Sequence, residues 1–163
     1  MKKSIFYLVL FLFISISSYC QDISSINFEF HCSACKRNSD ITIRIPDGTY
    51  TAVKDSVLIR IDSIPVYVKS ESMKIDKILF ISKLHREKIV KKVCKISSIE
   101  LIKNFSWGTD GSHTRLEIGS APNFISYYIW GVSINDKKEN KDFIEAILMI
   151  FEAAKMDPKL FYR

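Results

Sequence analysis

The sequence predicts an α+β fold: a mostly antiparallel β-sheet packed by a middle helix at about 83–97 and a C-terminal helix at about 137–156. Two observations carry this expectation. Apolar residues alternate with polar ones through much of the chain, and in two segments the apolar spacing changes to that of a helix. A third observation sets the layering. Each helix has a single apolar stripe, and the sheet is the only large apolar surface against which that stripe can be buried.

The strands follow from the alternation. Ile26, Phe28 and Phe30 alternate with Asn27, Glu29 and His31, and Ile41, Ile43 and Ile45 repeat the pattern around Thr42 and Arg44. Pro46, Asp47 and Gly48 supply a turn, because proline presets φ and glycine accepts a left-handed conformation at no steric cost. A longer strand-like tract runs from Ser56 to Val68 with Pro65 inside it. Proline offers no ladder donor, so a bend or a sheet edge is expected there. Lys77–Ile81 reads as a further strand. Thr114, Leu116 and Ile118 alternate with Arg115, Glu117 and Gly119, and a Ser120–Asn123 turn leads into Phe124–Val132, an antiparallel hairpin.

In the middle helix Ile89, Val93 and Ile96 share one side, Lys88, Lys91, Lys92 and Lys95, with Arg86 nearby, gather beside it as a solvated stripe, and Ser82 is a suitable N-cap. In the C-terminal helix Phe143, Ile147, Ile150, Phe151 and Ala154 form the stripe. Asp136 with Glu139 resembles a capping box at its start, and Asp157 and Pro158 end it.

The N-terminus carries a different signal. Lys2 and Lys3 precede an apolar stretch from Ile5 to Ile16, followed by Ser17, Ser18, Tyr19 and Cys20. This is the order of a secretory signal peptide, and the stretch is shorter than the roughly 20 apolar residues a spanning helix needs. Residues 1–20 are therefore expected to be a leader cleaved between Cys20 and Gln21, leaving 21–163 as one exported α+β domain without a transmembrane segment. Acylation of Cys20 in a lipoprotein is the competing reading, against which Tyr19 occupies the place of the usual small residue. The net charge stays positive after loss of the leader, which favours acidic partners weakly but is far from a nucleic-acid-binding composition.

Cys32 and Cys35 form a C-x-x-C behind His31, a spacing able to close a small disulfide or to give two ligands to a soft metal. A strand follows in place of the helix whose positive end would stabilise a thiolate. No second closely spaced ligand pair accompanies the motif, so no metal site is assigned, and no cofactor motif is present. A plain structural disulfide or unpaired thiols are the simpler reading. The loop from Trp107 to His113 combines an aromatic, Asp110 and a histidine, the ingredients of a binding surface. Its bland reading is a glycine-rich turn whose Asp110 caps its own backbone. Tyr128 and Trp130 should share one strand face while Tyr127 looks the other way.

No catalytic set stands out. The chain is expected to be a small exported protein of a bacterial cell envelope, a non-enzymatic binding module such as a periplasmic immunity or inhibitor protein, with a protein partner. The alternative is a thiol-redox or metal-handling envelope protein using Cys32 and Cys35. A hydrolase built on Asp110 and His113 is a weaker third.

Overall fold

The computed structural model describes residues 23–33, 39–48, 50–54, 57–61, 63–103, 111–120, 122–135 and 140–162. The strands are β1 (Ser25–Cys32), β2 (Ser39–Pro46), β3 (Tyr50–Lys54), β4 (Val57–Ile61), β5 (Ser63–Ser70), β6 (Ile75–Ser82), β7 (Ser112–Ser120) and β8 (Asn123–Trp130). The helices are α1 (Lys83–Val93), the short α2 (Ser98–Lys103) and α3 (Lys141–Ala153), with a 3-10 turn at Pro158–Leu160. Six strands form one sheet in the order β6-β5-β2-β1-β7-β8, and β3 pairs with β4 in a separate two-stranded ladder. Every neighbouring pair is antiparallel. The α+β expectation is met.

The alternating apolar set of each central strand points to one side. Ile26, Phe28 and Phe30 of β1, Ile41, Ile43 and Ile45 of β2, Val66 and Val68 of β5 and Leu116 of β7 are all buried. Against them lie Ile89, Val90 and Val93 of α1 and Phe143, Ile144, Ile147, Ile150 and Phe151 of α3. Phe28 meets Phe151 edge-on at a centroid distance of 5.2 Å, and Phe30 meets Phe161 and Tyr162 in the same manner at 5.6 and 4.8 Å. Such pairs add roughly 0.5–1.5 kcal/mol to the burial of the rings. The Tyr162 hydroxyl shares a 2.8 Å hydrogen bond with Thr114 Oγ1, so the one polar atom of this aromatic cluster is satisfied.

Several boundaries differ from the sequence reading, each for a physical reason. The Ser56–Val68 tract divides into β4 and β5, which belong to different sheets. Pro65 is buried within β5, paired with Phe80 of β6. On its other side β5 pairs with β2 only through Tyr67, Val68 and Lys69, so the missing N–H of Pro65 falls where the strand is locally an edge. α1 ends at Val93 instead of 97. There the N–H groups of Lys95 and Ile96 donate to the carbonyls of Lys92 and Val93, tightening the last turn and carrying Ile96 into the core beyond the helix. α3 begins at Lys141, with Asn140 as N-cap in place of Asp136; residues 136–139, with the expected capping box, lie outside the described residues. Ser82 caps α1 as expected, its hydroxyl accepting from His85 N–H at 3.2 Å. Asp157 accepts from Lys159 N–H and so caps the 3-10 turn.

Two charged groups tie the elements together, one between the helices and one between helix and sheet. Lys92 of α1 hydrogen-bonds Glu145 of α3 and lies 3.4 Å from Asp142, so this lysine joins the helices. Arg86, which the sequence places near an exposed lysine stripe, is instead buried. Its guanidinium donates to the Pro46 carbonyl at 2.9 Å and the Ile23 carbonyl at 2.5 Å, and pairs with Asp47 at 2.8 Å. One side chain thus closes the start of β1 and the end of β2 onto α1. Replacing Arg86 with alanine leaves two carbonyls without their donor and is expected to cost about 3 kcal/mol, read as a lowered midpoint in urea denaturation.

Candidate functional site

The helices cover one side of the sheet, and the polar members of the alternation form the other. Antiparallel register lays these residues out in rows across the strands. One row runs Asp40, His31, His113, Trp130; the next runs Lys69, Thr42, Glu29, Arg115, Tyr128; a third runs Ile78, Tyr67, Arg44, Asn27, Glu117, Ser126.

The first row ends in a stack of rings. His31 and His113 lie 5.2 Å apart between centroids, and His113 lies nearly parallel to Tyr128 at 5.3 Å and to Trp130 at 6.0 Å. Backbone geometry prepares the place. Gly111, at φ +143°, stands where a Cβ would come within 3.3 Å of the Trp130 indole nitrogen, so glycine lets the indole lie against the chain. Ser33 N–H donates to the Gly111 carbonyl and Gly131 N–H to that of Ser112, which holds the ends of β1, β7 and β8 together. At the other end of the hairpin a Cβ on Gly119, φ +139°, would meet the Asn123 carbonyl at 2.2 Å, so only glycine fits the turn that fixes this register.

Electrostatics divide the face. Arg115 hydrogen-bonds Glu117 and lies 3.7 Å from Glu29, placing an ion-paired patch at the centre. Asp40 accepts from the backbone N–H groups of Glu71 and Ser72 at 3.0 and 2.9 Å. Burial alone would raise its carboxyl, but these bonds and the Ser72 hydroxyl hold it below the usual range. Burial, aided by the neighbouring His31, holds His113 below the ordinary imidazole range against the pull of Glu29. A second aromatic and aliphatic group, Tyr67, Ile78 and Phe80, is exposed on the β5–β6 side, beside a shallow hollow lined in part by Thr42, Arg44 and Lys69.

Of the residues singled out from the sequence, His113, Tyr128 and Trp130 come together, and Tyr127 turns to the core side as expected. Trp107, Asp110, Cys35, Cys20 and Gln21 lie outside the described residues. Cys32 is 4% exposed, and both Cys32 and Cys94 are disulfide-bonded. A sulfur in this state is neither a nucleophile nor a thiolate ligand. The face also holds residues the sequence reading passed over, His31 as a surface group, Glu29, Arg115 and the Tyr67–Ile78–Phe80 group. Alternation marked each as outward; only cross-strand register made them neighbours. No family model matches the chain, and no curated protein sequence matches it.

Two outcomes are expected. His113 takes up a proton less readily when folded, so the unfolded chain binds more protons as pH falls; the stability tied to neutral His113 is present above the unfolded value near 6.5 and is lost as pH drops through the lower folded value. Thermal midpoints measured between pH 7.5 and 5 should fall, and His113→Asn should flatten that dependence. Reduction of the disulfides should lower stability by roughly 2–4 kcal/mol, seen by comparing urea transitions with and without reductant.

Proposed function

We propose that this chain is a small exported protein of the bacterial cell envelope acting as a non-enzymatic binding module, in the manner of a periplasmic immunity or inhibitor protein. The observation that carries the reading is the sheet face left open by the helices, where two ring-bearing groups flank an ion-paired centre. Aromatic side chains are enriched at protein interfaces because they bury much area for little lost rotamer freedom. Strands hold them in fixed relation, which limits the ordering cost of association. The positive net charge steers the module toward an acidic partner.

Export rests on residues 1–20, with Gln21 as the first residue of the working protein. No helix among the described residues is long and apolar enough to cross a membrane.

The test uses the chain purified after export, crosslinked in envelope extract of the producing cell and analysed by mass spectrometry. The crosslinked species is then measured for affinity. Tyr128→Ala and Tyr67→Ala should each weaken binding about tenfold, whereas Lys88→Ala on the helical side should not. Binding that depends on Lys88 and ignores both tyrosines would place the interface on the wrong side. Recovery of the chain with Met1 retained in the cytoplasm would remove the envelope assignment.

A further inference from the structure

β8 closes one end of the sheet with eight residues, Asn-Phe-Ile-Ser-Tyr-Tyr-Ile-Trp, that carry no charge. Among the described residues no strand flanks its outer edge. Proteins usually blunt such an edge with lysine, proline or a bulge, because its open backbone groups are a template for another strand. The opposite edge strand, β6, carries Asp76 and Lys77; β8 has no comparable residue.

Apolar surface is open on both sides of this strand. Phe124 and Tyr128 on the outer face are 49% and 46% exposed, and Ile125 on the helical side is 50% exposed. The helical layer covers the central strands and stops short of this end of β8. Backbone direction is set by the 2.8 Å bond from Gly131 N–H to the Ser112 carbonyl. Antiparallel bonding alternates, so the odd-numbered residues of β8 bond toward β7, and the N–H and C=O groups of Phe124, Ser126 and Tyr128 point away from it.

We infer that β8 pairs antiparallel with β8 of a second copy of this chain, joining the two sheets into one. A twofold axis normal to the sheet keeps outer face with outer face and helical side with helical side. With the axis at Tyr127, Ser126 faces Tyr128 of the partner subunit, Ile125 faces Ile129 of the partner subunit, and Phe124 faces Trp130 of the partner subunit. Two features select a second copy as the occupant. The uncharged strand opposes no like charges when it meets itself, and the apolar residues on each face fall opposite apolar or aromatic residues in one register. The contact is isologous and closes after two chains, so it covers the edge without propagating. This inference stands apart from the partner-binding reading, because its test involves no other protein.

The mass of the exported chain should be measured by analytical ultracentrifugation from 1 to several hundred micromolar, a range spanning roughly −8 to −5 kcal/mol of association free energy. A monomer–dimer equilibrium is expected. Ser126→Pro removes a donor on the open edge while sparing the bonds to β7, and Ile125→Lys sets a charge against the apolar Ile129 of the partner subunit. Each should weaken dimerisation at least about tenfold while leaving the circular dichroism spectrum and thermal midpoint of the monomer near wild type. Hydrogen exchange of the wild-type chain gives an independent reading, with the Ser126 and Tyr128 amides protected at high concentration and fast at low. A monomer throughout the range would overturn the inference. So would a dimer that tolerates both substitutions, or edge amides whose exchange ignores concentration. Protection appearing only when another protein is added would reassign the edge to that partner.

Discussion

The molecule depends on one constraint: an alternating strand can bury only one of its two faces, and here a single layer of helix does the burying. Phe28 and Phe30 near the middle of the sheet are sealed by Phe151, Phe161 and Tyr162, so the C-terminal helix and the residues after it complete the core begun by the first strand. The contacts join residues at opposite ends of the chain. The interior therefore closes only when the last segment has docked, which makes these rings the natural centre of cooperativity.

The width of that helical layer shapes everything outside it. α1 and α3 span the central strands and leave Ile125 of β8 open to solvent on their own side, whereas Ile75, Leu79 and Ile81 of β6 are half-buried or buried there. Across the far face no helix of the described residues lies, and the side chains there are arranged by strand register. Rings gather at β7–β8 and at β5–β6, with Arg115, Glu117 and Glu29 pairing between them. An exposed ion pair of this kind adds little stability, about 0–1 kcal/mol, so its value lies in fixing where charge sits on the face. Arg86 belongs to a different class. Its desolvation is offset by two carbonyls and Asp47, and it fastens the sheet to α1 at the point where the described chain begins.

Much of the fold was legible because local pattern and tertiary role coincide. The Phe28 and Ile43 neighbourhoods read as half-buried strands, Ser82 as a cap and the Phe143–Phe151 stripe as a core helix, since each signal arises within a few residues. Boundaries were less legible where distant groups decide them. Ile96 looks like one more helical position, yet it enters the core from a tightened turn, and Arg86 looks like surface until Ile23 and Pro46 arrive beside it. Of the candidate site, Tyr128 and Trp130 could be placed on one face from parity alone. The meeting of His113 with His31 could not.

By itself the sequence determined the two periodicities and hence the α+β class, because hydrophobic period and turn chemistry are local properties. Only the tertiary structure decided strand order, which face stays open, which charges are buried and which rings stack. Those depend on register between strands more than eighty residues apart, as with His31 and His113, and no local pattern encodes a register whose partner strand is so remote.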